Sequence, residues 1–187
     1  MEVLHQEFYG NSILNWAIAV GILILSFVVV KMLYWIFSNV IRRLTSKTNT
    51  KLDDVLIDKL EKPLTYLVLI LGYWISIHYL VFKEEVELVL ENAAYFLLVI
   101  DITAILSRVV DALITEIIMP ISEKSDSSFD NQLIPVIQKG VRSIIWILGI
   151  IIGLDNIGFD ITAMIAGLGI GGLALALAAQ DSVKNIF

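Results

Sequence analysis

The chain has 187 residues, 58% hydrophobic and 17% charged, with a formal net charge of −6 and no cysteine. An average soluble domain is roughly 45–50% apolar, so this composition excludes an ordinary water-soluble globule and points to a bilayer. The absent thiols exclude disulfides and thiolate metal sites, and no cofactor or nucleic-acid partner is expected.

Residues 1–12 carry no positive n-region and no small-residue cleavage site, so no removable signal peptide is predicted. Residues 13–37 are apolar except for Asn15, Ser26 and Lys31. At about 1.5 Å per residue they more than cross a hydrocarbon core of about 30 Å. A basic connection follows, with Arg42, Arg43, Lys47, Lys51, Lys59 and Lys62. Pro63 to Phe82 is the second predicted span. The stretch from Phe82 to Glu91 is expected as a loop, with Lys83 against Glu84, Glu85, Glu87 and Glu91. Ala93 to Val110 is the third span despite Asp101, Ser107 and Arg108, and Val136 to Leu154 is the fourth. A loop with no basic residue, Asp155 to Asp160, leads to the fifth, Ile161 to Ala179.

Lysine and arginine near span ends set orientation, which makes the basic connections cytoplasmic. Five spans with the N-terminus outside and the C-terminus inside, in a bacterial-type inner membrane, satisfy that rule throughout. Arg42 and Arg43 are expected at anionic lipid headgroups, and Lys31 is expected to snorkel toward the inner interface.

A shift of 77 residues lays Leu52–Gly72 over Phe129–Gly149. Asp53 falls on Asp130, Leu56 and Ile57 on Leu133 and Ile134, Lys62 on Lys139, and Leu71-Gly72 on Leu148-Gly149. The chain therefore reads as two helical hairpins, residues 1–86 and 87–158, and a different last helix, residues 159–187. Within the hairpins, Asp111 and Arg142 enter their spans at similar depth and are predicted to pair, since ionisable groups in a membrane usually find a partner.

The last segment contains Gly167, Gly169 and Gly172 in the spacing G-x-G-x-x-G. A dinucleotide loop would need a preceding strand, a βαβ unit and a later acidic residue, and none is present. At about 100° per residue on a helix, Leu173, Leu177, Gln180, Asp181 and Lys184 form one stripe, which Ala166 and Ile170 continue backward. Gly167, Gly171, Ala174 and Ala178 flank it on one side, and Gly169, Gly172, Ala176 and Ala179 on the other. Small residues let membrane helices approach closely, and two such flanks suit a helix with two neighbours. Copies joined flank to flank close into a ring around the leucine stripe. Two leucine rings would then block ions by dewetting. A helix packed in an ordinary bundle is the competing reading of the same pattern.

The run TAMIAGLGIGGLALALAAQDSVKNIF, Thr162 to Phe187, resembles the pore helix of the small-conductance mechanosensitive channel (MscS) family. The resemblance covers about residues 87–187, and the preceding hairpin is similar to the extra helices of larger family members. It implies an all-α transmembrane fold, a homo-heptamer and an ion channel, not an enzyme, gated by membrane tension on hypo-osmotic stress. It makes Leu173 and Leu177 the gate rings, and Gly169, Gly172, Ala174, Ala176 and Ala178 the sliding surfaces between pore helices. Gln180 is placed at the bend and Asn185 in the continuation along the membrane face. Asp181 departs from the family pattern, which has a kink-forming glycine there in its best-known member. Family members continue into a cytoplasmic β domain, so this chain is expected to be the membrane part of a longer protein.

A transporter or a non-channel scaffold is the alternative. Its inverted repeats and helices interrupted at the midplane are not what the two like-oriented segments suggest. His5 and His78 are isolated in sequence, and no serine has a neighbouring base, so no catalytic constellation is expected.

Overall fold

Inside a bilayer an unpaired backbone group has no water to bond, so long apolar stretches close their own hydrogen bonds as helices. The structure, a computed structural model, describes residues 7–37, 39, 51–123 and 128–184. Its helices are α1 Ile13–Ile36, α2 Lys51–His78, α3 Glu84–Leu113, α4 Met119–Glu123, α5 Ser128–Asn156 and α6 Thr162–Lys184. A π-helical turn, Ile114–Ile118, joins α3 to α4. One small element lies outside the all-α expectation: β1 Glu7–Phe8 pairs antiparallel with β2 Asn11–Ser12 ahead of α1.

Local chemistry sets the helix ends. Ser12 caps α1, its hydroxyl accepting from Asn15 N at 3.1 Å. α5 closes in a left-handed turn at Gly158, φ +86°. There Gly158 N donates to Asp155 O and Phe159 N to Leu154 O, the Schellman pattern that satisfies terminal carbonyls. Two boundaries differ from the sequence expectation. α2 stops at His78 rather than Phe82, because Val81 is taken by Asn11 in a separate clamp. The acidic stretch after Lys83 is the opening of α3 and not a loop, since carboxylates at Glu84, Glu85 and Glu87 complement the positive end of a helix dipole.

Among the described residues, four stretches are long and apolar enough to cross a membrane: Ile13–Ile36, Val55–His78, Ile134–Asn156 and Thr162–Gln180. The chain is thus an all-α membrane protein apart from its short β pair. α3, expected as a further span, is not among the four; it buries Asp101, Thr103 and Ser107.

α1 to α3 and α5 form one antiparallel layer in which each helix packs on the next. Ser76 Oγ on α2 donates to Ala19 O on α1 at 2.9 Å, and Tyr73 of α2 reaches Leu90 O of α3. The 77-residue shift found in α2 and α5 extends to their partners. Ser26 of α1 faces Gly72 of α2, and Thr103 of α3 faces Gly149 of α5, with both residues of the second pair displaced by that shift. A Cβ at Gly72 would collide with the Ser26 side chain, and one at Gly149 with the Thr103 side chain. Each hydroxyl bonds the carbonyl four residues back in its own helix, Ser26 to Ile22 O at 2.8 Å and Thr103 to Val99 O at 2.7 Å. The polar group is thereby satisfied without solvent.

One turn away the two hairpins solve the same contact differently. Ala19 lies against Ser76 in the first, whereas Phe96 lies against Gly153 in the second, a Cβ there falling 3.0 Å from the ring. The first contact pairs two small residues and the second sets a ring against a glycine.

Candidate functional site

α6 follows α5 after the short segment 157–161, where Asp160 Oδ1 accepts from Thr162 N at 2.9 Å. The Thr162 side chain and backbone hold the Asp160 carboxyl below its ordinary range, since both bonds favour the ionised form. Beyond that turn α6 packs along none of the other described helices. Every residue from Thr162 to Gln180 is exposed within the single chain, Leu173 at 63% and Leu177 at 62%.

The glycines sharpen this contrast. Gly72, Gly149 and Gly153 of the hairpins each have a neighbour that a Cβ would meet, whereas Gly167, Gly169, Gly171 and Gly172 have nothing within 4 Å. Close approach explains the first three inside the chain. Gly21 of α1 and Gly140 of α5 are open in the same way, and what distinguishes α6 is that four such glycines fall within six residues.

The expected stripe residues Ala166, Ile170, Leu173, Leu177 and Gln180 lie on one continuous helix, with Leu173 and Leu177 one turn apart. The flanking Gly167, Gly171, Ala174 and Ala178, and Gly169, Gly172, Ala176 and Ala179, share it and are all exposed. The helix runs on through Gln180 and Asp181 to Lys184, so no break in helical structure marks the expected hinge. Nothing is described of the Asp181 side chain, and Asn185, Arg42, Arg43 and His5 lie outside the described residues.

Arg142 Nη1 of α5 stands 3.5 Å from Asp111 Oδ2 near the end of α3. Gln138 Nε2, one turn earlier on α5, donates to Asp111 Oδ1 at 3.2 Å. The Asp111 side chain is 13% exposed, so its carboxylate is held between two donors from one helix face. His78, isolated in sequence, is not isolated in space: its Nε2 lies 3.6 Å from Glu91. No group of three His, Cys, Asp or Glu suited to a metal occurs among the described residues.

Arg108 has a role that span-by-span reading missed. Its Nη1 donates to Lys59 O of α2 at 2.8 Å. Lys59 O is the carbonyl that residue 63 would bond in a regular helix, but Pro63 has no N–H to give and is fully buried. The guanidinium thus satisfies the carbonyl orphaned by a proline. The signal was present in sequence as a proline inside an apolar helix. What could not be read there was which neighbouring helix would supply the donor. Asp101 is the reverse case: it is buried at 5% exposure, and its Oδ2 has no hydrogen-bond partner among the described residues.

Residues 139–180, most of α5 and α6, match the family described as "Mechanosensitive ion channel, transmembrane helices 2/3". The chain is 32% identical over 182 residues to "Small-conductance mechanosensitive channel MscMJ" of Methanocaldococcus jannaschii, covering 97% of this chain and 52% of that protein. It is 27% identical over 186 residues to "Large-conductance mechanosensitive channel MscMJLR" of the same organism, covering 99% and 52%. It is also 27% identical over 186 residues to "Uncharacterized MscS family protein YhdY" of Bacillus subtilis, covering 100% and 50%. The chain therefore spans about half the length of the curated relatives it matches. No solved structure matches it.

Proposed function

Because this chain belongs to the MscS family of mechanosensitive channels, we propose that α6 lines the pore of a homo-oligomeric ion channel opened by membrane tension. The observation that carries the reading is α6 itself: an apolar helix with two small-residue flanks that packs along none of the other described helices. Copies packed flank to flank, seven by family resemblance, bury those flanks and turn Leu173 and Leu177 toward a common axis. Two leucine rings about 6 Å apart along that axis dewet the path when narrow. Gln180, Asp181 and Lys184 form a wetter inner mouth, with the bend expected at Gln180-Asp181.

Five spans follow if α3 crosses with its neighbours. It runs antiparallel to α2 and α5 and packs on both, so it occupies the same depth, and the Ser, Thr and Asp side chains it buries face protein. The basic connections then lie on the cytoplasmic side, with the N-terminus outside and Arg42 and Arg43 at lipid headgroups. The layer of α1, α2, α3 and α5 presents apolar surface to lipid and can tilt as the bilayer is stretched. A state with larger in-plane area is favoured by tension just as a ligand favours the state it binds better. The Asp111, Arg142 and Gln138 cluster ties α3 to α5 so that the second hairpin moves as a unit.

The test is patch-clamp recording under graded suction. A tension-gated conductance is expected, with Leu177→Ser opening at lower tension because a hydroxyl wets the narrow ring. Unchanged gating would remove Leu177 from the constriction, and absence of any tension-dependent conductance would overturn the channel reading.

A further inference from the structure

The N-terminal β pair, which the channel reading does not use, closes an apolar cleft of about 700 Å3 at one end of the first hairpin. Its walls include Phe8, Tyr9, Trp16, Phe82 and Val86, with Lys83 at the edge. The volume falls within the roughly 300–1,000 Å3 of small-molecule sites.

The cleft is built rather than accidental. Asn11, 2% exposed, clamps the β turn to the segment after α2 in both directions: its Nδ2 donates to Val81 O at 2.7 Å, and Val81 N donates to its Oδ1 at 2.6 Å. Trp16 Nε1 donates to Phe8 O at 3.1 Å. The turn holds Tyr9 at φ 51°, a conformation a bulky residue rarely adopts, beside Gly10 at φ 77°. Tyr9 is 84% exposed and lies at the cleft, its ring edge-on to Phe8. Positive φ at both central residues is the geometry of a two-residue hairpin turn, which fixes where Tyr9 stands.

We propose that this cleft holds one acyl chain of an outer-leaflet phospholipid with a zwitterionic headgroup, its phosphate at Lys83. The location argues for lipid: Trp16 and Trp35 lie 19 residues apart on α1, about 28 Å at 1.5 Å per residue, so they bracket a core of about 30 Å. The cleft at Trp16 then sits at a bilayer surface, where aromatic residues gather. The charges select the headgroup. Lys83 supplies one cation, and Glu84, Glu85, Glu87 and Glu91 follow within two turns, which disfavours a net anionic lipid and suits a phosphate paired with an ammonium.

The inference rests on the proposed membrane orientation, and single-tryptophan proteins separate the two. Of four tryptophans, either Trp16 or Trp35 is kept, the rest become Phe, and the protein is reconstituted with rising fractions of acyl-brominated phosphatidylethanolamine. Trp35, 60% exposed on α1, reports ordinary lipid contact. Trp16 is expected to reach half-quenching at a roughly tenfold lower bromolipid fraction than Trp35, and to lose that advantage with Val86→Phe, with Lys83→Gln, or when brominated phosphatidylglycerol is used instead. Trp16 quenching that tracks Trp35 at every fraction would overturn the bound lipid while leaving the membrane reading intact. Absence of quenching at both positions would overturn the membrane reading itself.

Discussion

Lys59 O, Pro63 and Arg108 show how a membrane fold handles a single missing hydrogen. In water the orphaned carbonyl would bond solvent; in a bilayer it needs a donor from protein. Arg108 supplies one from the adjacent helix, and a bond from a charged donor contributes about 1.5–3 kcal/mol. Arg108→Met is therefore expected to destabilise the protein by about that amount. Pro63→Ala restores an N–H to the carbonyl, so Arg108→Met in the Pro63→Ala background is expected to cost less. Thermal unfolding of the four proteins in detergent measures the coupling, and strictly additive losses would contradict the account. Asp111 and Arg142, by contrast, were matched by depth from sequence alone, since both are charges placed near the same interface. Gln138 as the second donor to Asp111 was not foreseen, because a neutral amide carries no charge signal.

At the scale of elements, the hairpin is the unit that repeats, and its crossing is made by a hydroxyl residue against a glycine. Ser26 against Gly72 and Thr103 against Gly149 occupy matching positions, so the two helix pairs approach at the same height. Gly72→Ala introduces a methyl group into the Ser26 side chain and is expected to cost about 1–3 kcal/mol through overpacking. Ser26→Gly in the same protein removes the atoms it strikes and should recover most of that loss. Unfolding midpoints of the single and double variants check this; no recovery would mean that Gly72 is required for another reason. The repeat was visible in α2 and α5 through Lys62/Lys139 and Gly72/Gly149. It was invisible in α1 and α3, where Ser26 and Thr103 are scattered among residues of one apolar type. The position of the acidic stretch was also misread, because charge composition alone does not separate a loop from a helix start.

At the scale of the molecule, α1, α2, α3 and α5 form a layer whose helices pack on one another, and α6 packs along none of the described helices. Gly172→Leu tests what lies outside it. A Cβ at Gly172 meets nothing within 4 Å among the described residues, so subunit folding should survive, while a ring built on that flank should fall apart. Native mass spectrometry in detergent is expected to show loss of the oligomer with Gly172→Leu and retention with Ile170→Ala, which lies about 160° around α6 from Gly172. An intact oligomer in both would remove this flank from the interface. The sequence by itself determined the membrane class, most span positions, the hairpin repeat and the three-sided pattern of α6, because hydropathy, charge and helical period are local properties readable along one chain. Only the tertiary structure decided which donor serves the Pro63 gap, which side chains Gly72, Gly149 and Gly153 meet, that Asn11 clamps a β turn over an apolar cleft, and that α6 packs along none of the other described helices. Those depend on which residues meet across helices, and register between helices is set by side-chain fit at the crossing points, which no single segment encodes.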